Sequence, residues 1–295
     1  MTRERPRDRP RTAHVSDVTF LSMILGTSTV AGVLGAILGL GGGILLVPLL
    51  TLFFGVSLPY AMGASVLSVI ATSCGAAAGH LRSGLANIRL GLFLALFTVT
   101  GALAGASLVG VLPVRVLQTL FGLALAYSAF TTIRQLHVDV VDSLVADPLA
   151  QRFGLDGAYE DRVLGRDVAY HAVHVRGGAA VMFGAGLLSG LLGIGSGAFK
   201  VLAMDTVMRL PMKVSTATSN FMIGLTAAAS AGVYFGRGDI HPVIATPVAL
   251  GVLVGSYVGT RVIGRLSNTT VRKLFLPIVF YLALSMLLHG LGVLR

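Results

Sequence analysis

A lysine and an aspartate stand inside an otherwise uncharged run, and they are the side chains best suited to bind an ion there. The run reads GIGSGAFKVLAMD, from Gly193 to Asp205. A charge in apolar surroundings is costly, so Lys200 marks a candidate functional site. Lys200 would attract an anion, with Asp205 as a gate or a protonatable coupling group. Two structural alternatives stay open: Lys200 extends to a polar boundary, or it forms a permanent ion pair with Asp205.

Glycines surround this lysine and recur earlier in the chain, where GLGGGILLVP ends at Pro48. Each glycine inside a helix costs about 1 kcal/mol relative to alanine, and proline removes a helical hydrogen bond. Both stretches therefore predict a broken helix. Helices that restart after Gly43 and Gly197 would present free N–H groups and partial positive charge, which attract anions. Close helix packing is the structural alternative for these glycines.

Long apolar segments must position these groups. The chain of 295 residues is 55% hydrophobic and 12% charged, with no charged residue between Asp17 and Arg82. A membrane-spanning helix needs roughly 20 apolar residues, so the charge spacing predicts an all-α polytopic membrane protein with about eight transmembrane segments. The predicted segments are 17–54, 61–81, 89–110, 116–136, 177–208, 214–236, 241–263 and 270–292.

The chain also repeats itself, because a shift of 154 positions superimposes its two halves. Gly41 falls on Gly195, and Ser65 falls on Ser219. The first repeat covers 17–136 and the second covers 177–295, and each begins with a glycine-broken helix. The number of crossings per half stays open, since four crossings make the halves parallel while the loop arginines favour inverted halves.

Two polar stretches lie outside the repeats. Residues 1–16 carry five arginines and predict a cytoplasmic tail, and residues 137–176 predict a connecting loop that can hold a short surface helix. Such arginines account for the net charge of +10 through the positive-inside rule, so the charge does not indicate nucleic-acid binding. Cys74 is the only cysteine, and the loop histidines lack a fixed ligand spacing, so no metal or other cofactor is expected. These histidines are His137, His171 and His174.

A second polar cluster, Thr216 to Asn220, follows a Leu-Pro turn and opens the next predicted span. Ser65 lies at the corresponding place in the first half. Hydroxyl and amide groups at the start of a span either cap the helix or bind an oxyanion that faces the glycine break. The sequence leaves both roles open.

These residues together resemble the sulfite exporter TauE/SafE family of membrane permeases. The resemblance covers residues 18–292, and it depends on the doubled glycine motif and on the run ATSNF from Ala217 to Phe221. It implies a multi-pass permease of a bacterial plasma membrane that moves small anions such as sulfite or sulfonates. It also implies a set of substrate-binding candidates: Gly41, Gly42, Gly43, Pro48, Gly195, Ser196, Gly197, Thr218, Ser219 and Asn220.

The second half departs from the family pattern at two positions. Ser196 stands where glycine is usual, and Leu202 stands where a proline would follow. Lys200 occurs in this half alone, so the two half-sites should differ. The sequence thus predicts a secondary transporter that exports small anions from a site between two repeats, with Lys200 and Ser65 among its binding residues.

Two other functions remain open. An intramembrane enzyme would need a nucleophile with a base, or paired carboxylates, and the spans offer Asp205 without an acidic neighbour in sequence. An anion channel would share the cavity but need a continuous pore. Val201 follows Lys200 where a nucleotide-binding loop has serine or threonine, so direct use of ATP is not expected. The sequence does not indicate the coupling ion or the oligomeric state.

Overall fold

The computed structural model describes residues 17–38, 42–82, 85–134, 147–161, 166–262 and 268–293. Gly41, the tail 1–16 and residues 137–146 of the predicted loop lie outside this described part. Inside it, the chain forms eleven α-helices and one antiparallel β-hairpin. The helices are α1 (Asp17–Leu38), α2 (Gly43–Leu52), α3 (Leu58–Arg82), α4 (Ile88–Leu108), α5 (Val114–Arg134), α6 (Pro148–Phe153), α7 (Val175–Leu192), α8 (Gly197–Leu202), α9 (Met212–Gly236), α10 (Pro242–Val262) and α11 (Asn268–Gly290). A π-helical turn, Ala203–Val207, extends α8, and the strands are β1 (Gly157–Asp161) and β2 (Arg166–Tyr170).

The predicted helical class is confirmed, and the ends of the predicted segments lie within three residues of helix ends. Among the described residues, four helices are long and apolar enough to cross a membrane by length and composition. These spans are Val18–Ala36, Ile88–Leu108, Val175–Leu192 and Pro242–Gly259. Helices α2, α3, α5 and α11 contain shorter apolar stretches.

Both glycine-rich stretches interrupt a helix, as the sequence predicts. The first interruption separates α1 from α2, and the second separates α7 from α8. Pro48 lies inside α2 and does not end it, so the first break lies before Gly43. In the second break Gly193, Gly195 and Ser196 have φ angles of +67°, +74° and +46°. Glycine adopts such angles freely, whereas Ser196 is held there by the surrounding structure.

Each broken helix pair folds back toward the end at which it began. The ring of Phe20, near the start of α1, lies 6.0 Å from the ring of Phe54, just after α2. In the second pair, the backbone N–H of Val173 donates to the carbonyl of Met208 over 3.2 Å. Val173 precedes α7 and Met208 follows the π-helical turn. Helices α2 and α8 are therefore the short return arms of two helical hairpins.

Helices α3 and α9 pack together at the centre and run antiparallel. Met62 lies near the start of α3 and contacts Tyr234, near the end of α9, with 4.0 Å between Sδ and the phenolic oxygen. Further along α3, Ser73 faces Gly224, which lies earlier in α9. Around this pair, α1 packs on α10, α4 packs on α7, and α5 packs on α11.

Glycines bring α4 and α7 into close contact. A β-carbon added at Gly186 would collide with the backbone of Thr98, and one at Gly190 would collide with the carbonyl oxygen of Ala102. Residue numbers increase in the same direction along both helices, so α4 and α7 run parallel. Small residues allow transmembrane helices to approach this closely. Packing is therefore the role of these two glycines.

Residues 147–161 and 166–174 form a small cap over one end of the helices. Leu155, Tyr159 and Tyr170 of the cap share an apolar core with Leu90 of α4 and Val214 of α9. A short helix, α6, lies in the stretch where the sequence allows a surface helix. The hairpin was not expected, because its strands carry as many polar residues as a loop would. The buried side chains of the hairpin are covered by the ends of α4 and α9.

The substitution Gly190→Ala should destabilise the protein by about 1–3 kcal/mol, the usual effect of overpacking, because the added carbon collides with Ala102. Gly184→Ala in the same helix is the matched control, since a β-carbon there meets nothing within 4 Å. Thermal unfolding of both variants in detergent measures the difference. Equal stability would contradict the close packing of α4 and α7.

Candidate functional site

The two helix breaks meet at one hydroxyl group. Ser65 of α3 is fully buried, and its Oγ lies 2.7 Å from the carbonyl oxygen of Gly193 and 3.1 Å from that of Gly43. A hydroxyl has one proton to donate, so Ser65 divides it between the two carbonyls. Irregular backbone at membrane depth needs such partners. Ser65 therefore joins the two breaks at the centre of the molecule.

Glycine is required where the breaks approach α3. A β-carbon at Gly43 would lie 2.7 Å from Ser65 Oγ, and one at Gly195 would lie 2.8 Å from Cγ1 of Val69. At Gly193 the position of a β-carbon is 2.9 Å from the carbonyl oxygen of Met62. A larger residue at any of the three positions would push the breaks away from α3.

The other first-half candidates lie at and beyond the start of α2. Gly42 immediately precedes α2 and is buried. Pro48 is also buried, but it lies five positions after Gly43 and thus more than one helical turn from the break. Gly41 lies outside the described residues, so the structure does not place it.

The second break holds a buried hydroxyl that has no partner in the described part of the chain. Ser196 is 3% exposed, and among the described residues its Oγ has no hydrogen-bond partner. Gly197, the next residue, is tied to α9 because Ser219 Oγ donates to its carbonyl over 3.3 Å. The structure thus brings Gly197 of the second break into contact with Ser219 of α9.

Lys200 is fully buried, so its side chain does not extend to a surface. Its ammonium donates one hydrogen bond, to Thr226 Oγ1 at 2.8 Å. Within the described part of the chain no carboxylate lies within 4.0 Å of the ammonium. An ammonium carries three donors, so two of its N–H groups have no acceptor among these residues. Among the described residues, then, the buried charge has no counter-ion.

Two threonines that the sequence pattern did not indicate, Thr226 and Thr98, lie next to Lys200. Thr226 Oγ1 donates to the carbonyl of Met222 over 2.7 Å and lies 3.4 Å from Thr98 Oγ1. Because the hydroxyl proton of Thr226 is donated within α9, the hydroxyl oxygen is free to accept the hydrogen bond from Lys200. Thr226 lies seven positions after Ser219 on the same face of α9, a spacing that could have identified it. Nothing in the sequence links Thr98 to Lys200, because their approach depends on the packing of α4 on α7 and α9.

Asp205 lies in the π-helical turn and is 7% exposed. The expected alternative of a permanent ion pair with Lys200 is not observed in the described residues. A π-helical turn inserts one extra residue into the helix and often occurs at functional sites. The turn begins three residues after Lys200 and contains Asp205.

The polar cluster of α9 does not cap the helix. Helix α9 begins at Met212, so Thr216 to Asn220 lie more than one turn inside it. Thr218 is fully buried, and its Oγ1 accepts the backbone N–H of Asn87 at 3.1 Å. Asn220 is half-buried. The cluster is therefore divided: Ser219 contacts the break, and Thr218 contacts the start of α4.

Asn87 connects Thr218 to the cap. Its side-chain oxygen accepts the N–H of Leu90 and caps α4, while its amide donates to the carbonyl of Leu155 at 2.8 Å and to the Tyr170 hydroxyl at 3.1 Å. The side chain of Asn87 thus contacts the start of α4 and two parts of the cap. Its backbone N–H binds Thr218, which is one of the candidate site residues.

Asp147 fastens the cap to α7. Its carboxylate accepts the N–H of Leu149 at 2.9 Å and that of Val175 at 3.0 Å. These backbone hydrogen bonds, with Leu149 first, hold the pKa of Asp147 below its usual 3.8. Val175 is the first residue of α7. The same carboxylate therefore acts as the N-cap of α6 and also accepts a hydrogen bond from the N-terminus of α7.

Comparisons with known proteins indicate one family. The family described as "Sulfite exporter TauE/SafE" matches residues 24–286. The probable membrane transporter protein YunE of Bacillus subtilis is 23% identical over 89% of this chain and 95% of its own length. YdhB of the same organism, also named a probable membrane transporter protein, is 26% identical over 78% and 85%. A probable membrane transporter protein of Methanocaldococcus jannaschii is 24% identical over 91% and 96%. No solved structure matches the chain.

The substitution Ser65→Ala should lower the free energy of unfolding by about 1–3 kcal/mol, because it leaves the buried carbonyls of Gly43 and Gly193 without this donor. Ser68→Ala is the matched control, since among the described residues its buried hydroxyl bonds within α3, to the carbonyl of Ser65 at 2.7 Å. Thermal unfolding in detergent compares the two. A larger loss in Ser68→Ala would contradict the joining role of Ser65.

The Asp147 contacts should make the stability of the cap depend on pH. The folded pKa is lowered, so the carboxylate contributes stability above its unfolded value near 3.8, and that contribution is lost as the pH falls through the folded pKa. We expect the protection of the Val175 amide, which is the ratio of the intrinsic to the measured hydrogen-exchange rate at each pH, to fall below about pH 3.8 in the natural protein. Asp147→Asn has no charge to lose and should show no such step. An identical step in both proteins would assign it to another group.

Proposed function

The chain belongs to the sulfite exporter TauE/SafE family and is a multi-pass membrane transporter, and we propose that it is a secondary transporter of small anions. The anions are of the sulfite or sulfonate class, and the proposed direction is export across a bacterial plasma membrane. The family and the names of its relatives indicate a transporter rather than an enzyme.

The observation that carries this proposal is the buried ammonium of Lys200. It has one hydroxyl partner and two N–H groups that are free of acceptors among the described residues. A buried charge without a partner is strongly unfavourable. A substrate anion would supply the missing charge and the missing acceptors, and the oxygens of a sulfite or sulfonate group can accept several hydrogen bonds at once.

The helix break next to Lys200 adds neutral donors to the same region. Ser196 Oγ is buried and unpartnered among the described residues, four positions before Lys200. Gly195 and Gly197 flank it and keep the backbone close to α3 and α9. We assign substrate binding to this group, together with the corresponding Gly42 and Gly43 on the far side of Ser65.

Two inverted repeats, 17–136 and 177–295, would place this site between them, with 137–176 as the connecting segment. The equivalent helices α3 and α9 run antiparallel, which supports inversion. Equivalent contacts also recur at a shift of 154: Ser65 bonds the carbonyl of Gly43, and Ser219 bonds that of Gly197. Transporters built this way bind substrate near the membrane centre at broken helices. Movement of one hairpin relative to the other would then open the site to each side in turn.

Asp205 is the proposed coupling or gating group. It is buried in the return arm that carries Lys200, and it has no ion-pair partner in the described part of the chain. A carboxylate in such a place can bind or release a proton when the arm moves. Protonation would then accompany movement of the substrate.

The test is counterflow of labelled sulfite in proteoliposomes, with a sulfonate as competitor. Lys200→Met should reduce exchange by about 10- to 100-fold, because it removes charge-assisted hydrogen bonds to the anion. Leu46→Met is the matched control: Leu46 is the equivalent residue of the first half, 154 positions earlier, and is also fully buried. We expect this control to exchange sulfite at the natural rate.

Equal exchange by Lys200→Met and the natural protein would contradict a substrate role for Lys200. Passive sulfite flux without counterflow would indicate a channel instead of a carrier. Exchange of the sulfonate but not of sulfite would retain the carrier and the site while narrowing the substrate to organic anions.

A further inference from the structure

An apolar groove lies on the outer surface where α4 and α7 run side by side. Its volume is about 450 Å³. Phe93 and Phe97 of α4 form one wall, Ala179, Ala180 and Phe183 of α7 form the other, and α6 of the cap closes one end through Leu149. Among the described residues, Arg176 is the one charged side chain that lines the groove.

The groove crosses the expected boundary of the membrane. Arg89 is the second residue of the span Ile88–Leu108, and Arg176 is the second residue of the span Val175–Leu192. The two helices run parallel, so both arginines lie at the same end of the groove. Phe93, Phe97 and Phe183 follow them toward the middle of the spans. The groove is thus cationic at the boundary and apolar within the hydrocarbon region.

A third arginine strengthens this positive end. Arg152 is exposed on α6, one helical turn after Leu149 of the groove. The side chain of Arg89 reaches the end of α6, where its guanidinium lies 3.1 Å from the position of a β-carbon on Gly154. In the described part of the chain no carboxylate lies within 4.0 Å of these arginines. The nearby acid Asp147 already accepts two backbone N–H groups.

We propose that this groove binds an anionic phospholipid, with its phosphate at Arg89 and Arg176 and an acyl chain in the groove that runs along α4 and α7. The apolar walls match a hydrocarbon chain, and the positive end at the membrane boundary matches a headgroup of net negative charge. The site is separate from the transport site, because the groove lies on the outer surface of α4 and α7, whereas Thr98 of α4 is buried and faces Thr226. The bound lipid would cross-link α7 to α4 and to the cap.

Native mass spectrometry of the purified protein tests this proposal, with phosphatidylglycerol and phosphatidylcholine of identical chains as probes. The natural protein should bind one phosphatidylglycerol more tightly than phosphatidylcholine. The double variant Arg89→Gln/Arg176→Gln should lose about 10- to 30-fold in affinity for phosphatidylglycerol, because each arginine near the surface contributes about 1 kcal/mol. Arg115→Gln, at the start of α5 outside the groove, is the matched control and should bind as the natural protein does.

A second variant tests the chain-binding part with the arginines intact. Ala180→Phe fills the groove from an exposed position and should remove tight binding of phosphatidylglycerol. Ala126→Phe, exposed on α5, is its control. Glycerophosphoglycerol, which has the headgroup and no chains, should not bind the natural protein, and this measurement stands even if Ala180→Phe fails to fold. The proposal is overturned if the natural protein does not discriminate between the two lipids, if the double arginine variant keeps its preference, or if a folded Ala180→Phe binds as tightly as Ala126→Phe.

Discussion

The fold depends on how it accommodates two stretches of irregular backbone inside a membrane protein. Backbone groups at that depth have no water to bond, so each carbonyl freed by a helix break needs a partner from the protein. Ser65 supplies that partner to the carbonyl of Gly193, which follows α7, and it also donates to the carbonyl of Gly43, the first residue of α2. Its position on α3 holds the two hairpins against each other, and the glycines are needed because the contact leaves no room for a β-carbon.

The two halves of the molecule are not chemically equivalent around this centre. Lys200 corresponds to Leu46 in the first half, and Val252 of the second half corresponds to Thr98 of the first. Lys200 and Thr98 both approach Thr226, so the polar members of these two pairs gather around one return arm, α8. A buried cation with no carboxylate within 4.0 Å among the described residues suits a substrate with an anionic group. This asymmetry agrees with the proposed transport of sulfite or sulfonates.

The start of α4 links the site to the membrane surface. Asn87 contacts the cap with its side chain and Thr218 of α9 with its backbone N–H. Two positions later, Arg89 lies at the mouth of the proposed lipid groove. The cap, the groove and the candidate site therefore all contact the first turn of α4. A displacement of α4 would change the contacts of all three. Close glycine packing on α7 makes such a displacement a joint movement of both helices.

The sequence by itself determined which residues form helices and where the helices break. Charge-free stretches of membrane-spanning length and clustered glycines act locally, through hydrophobicity and backbone entropy, so the predicted segments lie close to the observed helices. The sequence also identified Lys200 and Ser65 as unusual. Tertiary structure alone decided their partners: Thr98 meets Thr226 beside Lys200 only because α4 packs on α7 and α9. The cap hairpin likewise depends on an apolar surface made by distant helix ends, which no local pattern encodes.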